Sequence, residues 1–233
     1  MKKRMLALLV LVMMLLSVGA QAGSFNSLHA TAFMDIKFNC GCTRYGTGAM
    51  IGRYGLITAA HNLYCHTHGQ SLKSCSFAFG AKSYQSAWYR YSGKFTYRAY
   101  DTFRNGYSSE NDIGYVIFDR AVGDETGWFG YLAGTDYDLN WEYVNVYSFN
   151  NKAQLDSLFS QEDVVSSTQV RFEGYFSGTE GGPVVANYGD GSGSDADYCV
   201  VAVYTAYDSS GNGYGRRITS NIITDMRADG AFR

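Results

Sequence analysis

The chain has 233 residues, with 19 basic side chains against 21 acidic ones and a formal charge of −2. Binding a polyphosphate needs Lys and Arg clustered on one face, and here they are scattered among the acidic residues, so no nucleic-acid partner is expected. The 20 Tyr, 14 Phe and 27 Gly, against a single Pro, favour strands over helices.

The first two dozen residues read as an address label. Met1-Lys2-Lys3-Arg4 is a basic start, Met5 to Val18 is apolar and uncharged, and Ala20-Gln21-Ala22 supplies the small residues that precede a signal-peptidase cut. Cleavage after Ala22 and secretion are expected. The apolar run is short of the about 20 residues that span a bilayer, so a retained anchor is disfavoured and the mature chain is expected to be soluble and free of the membrane. Roughly 210 residues then remain, enough for one large all-β unit or two small barrels.

Short segments of alternating or apolar character follow, separated by glycine and polar residues: Thr31 to Phe38, Gly48 to Thr58, Ser74 to Phe79, Gly114 to Phe118, Tyr143 to Tyr147, Thr168 to Tyr175, Pro183 to Ala186 and Tyr198 to Tyr204. This spacing predicts an all-β sandwich or barrels. One helix is predicted, Ile218 to Ala228, with Ile222, Ile223 and Met226 at helical spacing. Tyr188 to Asp197, rich in Gly, Asp and Ser, reads as a solvated hairpin loop rather than a calcium site. No internal repeat stands out.

Three motifs carry the chemistry of acyl transfer, which needs a base, an acid to orient it, a nucleophile and backbone donors for an oxyanion. The first is Gly46 to Gly52 followed by Leu56-Ile57-Thr58-Ala59-Ala60-His61, two strands and a turn that deliver His61 at a strand end. The second is Asn111-Asp112-Ile113-Gly114-Tyr115-Val116, where an aspartate opening a buried strand can accept the imidazole N–H and orient the ring. The third is Gly178-Thr179-Glu180-Gly181-Gly182-Pro183, a glycine-rich turn able to aim two N–H groups, those of Gly178 and Glu180, at one spot.

The order His, Asp, glycine turn is that of chymotrypsin and not of subtilisin or the α/β-hydrolases. The chain resembles the chymotrypsin- and trypsin-like serine proteases, and among them the bacterial glutamyl endopeptidases, over nearly all its mature length. Val122-Gly123-Asp124-Glu125-Thr126-Gly127-Trp128-Phe129-Gly130-Tyr131, Val203-Tyr204-Thr205 and Arg217-Ile218-Thr219 carry further likeness. The resemblance implies two six-stranded antiparallel Greek-key barrels with a C-terminal helix and a cleft between the barrels. Residues 1–22 are then the signal peptide, 23–132 the first barrel with His61 and Asp112, and 133–233 the second barrel with the Gly178 to Pro183 turn and the helix. It also implies Ser177, Tyr204 and Thr205 as pocket residues, a monomer, a peptide or protein in the cleft, and no cofactor.

Two departures limit what carries over. Glu180 stands where the family has its nucleophilic serine, and a carboxylate has no proton for His61 to remove. Loss of a triad nucleophile costs on the order of 10⁶ in turnover in a well-studied subtilisin. Tyr204 stands where glutamyl endopeptidases place a histidine that meets the substrate carboxylate, so a preference for acidic side chains is not expected. The preferred expectation is an inactive homologue that keeps a binding cleft. The alternative is a working secreted endopeptidase in which Glu180 serves as a base toward water with His61 as acid.

Cys40, Cys42, Cys65, Cys75 and Cys199 all lie in the exported part, and an odd count leaves one thiol over. A bridge across the His61 loop is expected, Cys65 with Cys42 first and Cys65 with Cys75 second. The only close pair is Cys-x-Cys, which does not resemble a zinc motif, and His66 and His68 read as solvated loop residues. No metal is expected.

Overall fold

The structure is a computed structural model and describes residues 27–80, 86–134, 139, 143–151, 153–176, 180–187 and 198–233. The leader, Ser177, Gly178, Thr179 and the whole Tyr188 to Asp197 loop lie outside the described residues. No helix among the described residues is long and apolar enough to cross a membrane.

Eight strands make the first sheet: β1 (Thr31–Phe38), β2 (Thr43–Met50), β3 (Gly55–Thr58), β4 (Tyr64–Cys65), β5 (Gln70–Phe79), β6 (Tyr89–Tyr91), β7 (Phe95–Ala99) and β8 (Gly114–Phe118). Their order is β4-β5-β1-β2-β3-β8-β7, with β6 on β5. In the outer half of β1, Ile36 and Phe38 are buried while Lys37 between them is exposed, the period of two that a half-buried strand requires. The sheet curls around an aromatic interior in which Phe118 meets Phe77 edge-on at 5.0 Å and Tyr91 at 4.7 Å.

The second barrel is built from β9 (Gly130–Tyr131), β10 (Tyr143–Phe149), β11 (Leu155–Ser166), β12 (Gln169–Glu173), β13 (Pro183–Asn187), β14 (Tyr198–Tyr207) and β15 (Asn212–Arg217). Its order is β13-β10-β11-β12-β15-β14-β9, and a further pairing of β13 with β14 closes six of the strands into a ring. Val144, Val146, Val170, Phe172, Val184 and Ala202 fill it. Both barrels are antiparallel throughout except for β9, which lies parallel to β14. The division expected between residues 132 and 133 therefore falls just after a strand that pairs into the second sheet.

The terminal helix α1 (Ser220–Ala228) starts two residues later than its periodicity suggests and buries Ile222, Ile223 and Met226. It follows the second barrel but covers the first. Tyr54 N–H donates to the Ala231 carbonyl at 3.1 Å, Tyr115 Oη donates to Asp229 at 2.7 Å, and Arg98 pairs with Asp225 at 3.2 Å. A Cβ on Gly55 would come within 2.6 Å of the Ala231 side chain, so this strand end needs glycine for the chain terminus to settle on it. Each buried apolar side chain of the helix contributes about 1.5–3 kcal/mol.

The β14–β15 hairpin turns on Asp208, whose carboxylate accepts from Asn212 Nδ2 at 3.0 Å, from the backbone N–H groups of Ser210 at 2.8 Å and Asn212 at 3.0 Å, and from Tyr214 Oη at 2.9 Å. The Asn212 side chain and the other donors hold its pKa down at about 2, against an ordinary 3.8. A depressed folded pKa contributes stability that is fully present above the unfolded value and fades as pH falls from about 4 toward 2. Asp208→Asn is expected to be less stable than wild type at pH 6 and to converge on it near pH 2. Urea midpoints measured across that range check this; a gap independent of pH would refute it.

Candidate active site

His61 sits just past the end of β3, in the single 3₁₀ turn Ala60–Asn62, and Asp112 sits just before β8. The two strands are antiparallel neighbours in the register Thr58↔Gly114, so residues leaving one and entering the other must face each other. Asp112, fully buried, accepts the His61 backbone N–H on Oδ1 at 2.9 Å and contacts Nδ1 through Oδ2 at 2.6 Å. An ionised carboxylate only accepts, so Nδ1 donates in this contact and Nε2 is the ring nitrogen left free of Asp112. Nε2 is buried and has no hydrogen-bond partner among the described residues.

Glu180 reaches this nitrogen from the second barrel, its Oε2 3.9 Å from Nε2. That separation is at the outer limit of a charge contact and too long for a hydrogen bond. The main chain at Glu180 is held far more tightly: its carbonyl accepts from Thr47 N at 3.0 Å and from Asn62 Nδ2 at 2.9 Å. Asn62 also donates to Thr58 Oγ1 at 3.0 Å, Thr58 Oγ1 donates to the Thr47 carbonyl at 2.6 Å, and Thr47 Oγ1 accepts from Phe149 N at 3.0 Å. Thr47, Thr58 and Asn62 are fully buried.

The two glycines after Glu180 are required by this close approach. Gly181 has φ +104 and lies against Thr47, Asn62 and Thr58, while a Cβ on Gly182 would strike the Tyr147 carbonyl. The N–H of Gly181 is committed to the Tyr204 carbonyl at 2.7 Å. Of the expected oxyanion pair, Glu180 is described and Gly178 lies outside the described residues.

The pocket residues divide. Thr205 lines the cleft. Tyr204 turns into the second barrel instead, its ring against Phe172 and Phe176 and its hydroxyl donating to the Phe176 carbonyl at 3.0 Å. Burial raises its phenol pKa. Ser177 lies outside the described residues. Sequence reading passed over Tyr107, which also lines the cleft; burial first, then the charges of Asp112 and Glu180, raise its phenol pKa.

The cleft has a volume of about 540 Å³ and is lined by His61, Glu180, Thr205, Arg44, Cys65 and His68 among others. Arg44 donates to the His61 carbonyl at 3.1 Å. No disulfide joins Cys65 to Cys42 or to Cys75. Cys75 is buried within β5 in the interior of the first barrel, whereas Cys65 does meet Cys42, together with Cys40 and His68.

No family model matches the sequence, and no curated protein matches it. Solved structures do. A Glu endopeptidase aligns with a TM-score of 0.73 at 15% identity over 91% of this chain and 95% of its own. A thermostable serine protease from an extremophilic microorganism aligns at 0.72 and 15%, over 89% of this chain and 99% of its own. A scabies mite inactivated protease paralogue aligns at 0.64 and 13%, over 91% and 99%. The chain has the chymotrypsin-like fold. His61 and Asp112 belong to the first barrel and Glu180 precedes β13 of the second.

Thr47 and Asn62 had only faint signals in the sequence: a β-branched residue between two glycines, and a polar residue following His61 in an apolar run. Thr47→Val keeps the shape and leaves the Phe149 N–H without its buried acceptor, a cost of about 1–3 kcal/mol. At about 2–4 °C per kcal/mol for a chain of this size, a lower Tm is expected by thermal unfolding; an unchanged Tm would show that the contact is dispensable.

Proposed function

We propose that this chain is a secreted, catalytically silent homologue of the serine endopeptidases that uses its inter-barrel cleft, as a monomer, to bind a peptide or a protein segment. The observation that carries this reading is the Glu180 carboxylate 3.9 Å from His61 Nε2, with no hydroxyl or thiol described beside that nitrogen. Acyl transfer by this constellation needs a nucleophile whose proton the imidazole removes, and an ionised carboxylate has none. The rest of the frame is retained: a buried His61–Asp112 pair joined through both Asp112 carboxylate oxygens, and a cleft of about 540 Å³ beside it. A buried polar pair is costly unless satisfied, and a surface used only for packing has no need of one. The carboxylate at the point where the peptide would cross also disfavours an acidic side chain there.

Wild-type protein on denatured casein is expected to cleave no faster than Glu180→Ala, and Glu180→Ser is expected to raise hydrolysis by on the order of 10³-fold or more. Robust wild-type cleavage that disappears in His61→Ala would overturn the silent reading in favour of a working endopeptidase with Glu180 as base. A peptide library panned on the wild type is expected to enrich one sequence pattern, and failure to enrich any would remove the binding role.

A further inference from the structure

The tips of two hairpins meet beside the cleft, where Cys42, Cys65 and His68 line it. Between β1 and β2 the tip is Cys40-Gly41-Cys42, closed by Gly41 N–H to the Phe38 carbonyl at 3.0 Å, with Gly41 at φ +88. Between β4 and β5 it is Cys65-His66-Thr67-His68 followed by Gly69 at φ +62. Each tip turns through a glycine in the left-handed region, next to its own pair of candidate ligands. Asn39 N–H donates to the Ser71 carbonyl at 3.1 Å and Phe38 pairs with Leu72, which holds the tips side by side.

Three sulfurs and one imidazole nitrogen converge there, all within 4.8 Å of one another. His68 presents Nδ1 to both Cys42 Sγ and Cys65 Sγ, each at 3.4 Å. A zinc ion with Zn–S of about 2.3 Å and Zn–N of about 2.0 Å sets tetrahedron edges of about 3.5 Å between S and N and about 3.8 Å between sulfurs. The observed spacing matches the first and reaches the second with small side-chain shifts. A disulfide would use two of the three sulfurs and would leave Nδ1 aimed at a bridge that offers it nothing. His66 is not part of the group, since its ring packs edge-on against Phe103 and beside Tyr107.

We infer that Cys40, Cys42, Cys65 and His68 form a tetrahedral zinc site that ties the two hairpin tips together in the wall of the cleft. Thiolate and imidazole ligands select zinc over calcium or magnesium, and four protein ligands leave no open position, so the ion is structural rather than catalytic. Each ligating thiol releases its proton to solvent on binding. The sequence pattern Cys-x-Cys with Cys-x-x-His did not announce this, because the two halves lie on different hairpins and only the β1–β5 pairing brings them together. The ion would anchor the segment that follows His61 at its fourth residue, whether or not the cleft hydrolyses anything.

The test uses the full chain purified without reductant under argon. One equivalent of zinc by elemental analysis is expected. After chelation, one equivalent of Co²⁺ should restore a near-ultraviolet thiolate-to-cobalt band and the strong visible bands of tetrahedral cobalt. Cys65→Ser and His68→Ala should each lose those bands, while Cys199→Ser should keep them. Because His68 is exposed, its variant is expected to fold even if Cys65→Ser does not. In the wild type, zinc should shield Cys40, Cys42 and Cys65 together from alkylation, and a chelator should expose all three. A peptide in which Cys65 is disulfide-bonded to Cys40 or Cys42, or cobalt bands that survive His68→Ala, would overturn the site.

Discussion

Thr47 carries the constraint on which the site depends. Its N–H, carbonyl and hydroxyl are all engaged, with Glu180, Thr58 and Phe149 in turn, and two of those partners belong to the second barrel. The residue is fully buried, so none of these groups can exchange its partner for water. The barrels are therefore locked at one point by directional bonds and not only by apolar contact, which would allow them to slide. Asn62 doubles the lock by gripping the same Glu180 carbonyl.

The frame is indifferent to which side chain residue 180 bears. The carbonyl clamp, the left-handed Gly181 and the tightly seated Gly182 position the main chain, and whatever side chain follows is delivered to Nε2 of His61.

The His61 segment is held from several directions: Asp112 takes both its ring and its backbone N–H, Arg44 takes its carbonyl, and Asn62 is bonded to Thr58 and Glu180. A metal at Cys65 would add a further anchor at the start of the next turn. On the opposite side of the first barrel, α1 returns from the second barrel and seals β3 through Gly55 and Tyr54. The two halves are thus joined beside the cleft by polar bonds and elsewhere by a helix that returns to the first barrel.

The strands β1 and β8 were legible to the residue, because an alternating or wholly apolar run bounded by polar residues has few other readings. β11 and β15 were not. Leu155–Ser166 is largely polar with only Ser160 and Glu162 buried, and Asn212–Arg217 carries two glycines, so neither shows the apolar periodicity that a buried face imposes. By itself the sequence determined the fold class and the order of His61, Asp112 and Glu180 along the chain, since these follow from residue types at short range. Only the tertiary structure decided that Tyr204 turns inward, that Thr47 and Asn62 clamp the loop, and that three cysteines and His68 share one spot. Those facts are set by strand pairing and register between segments distant along the chain, and spacing along the chain carries no record of them.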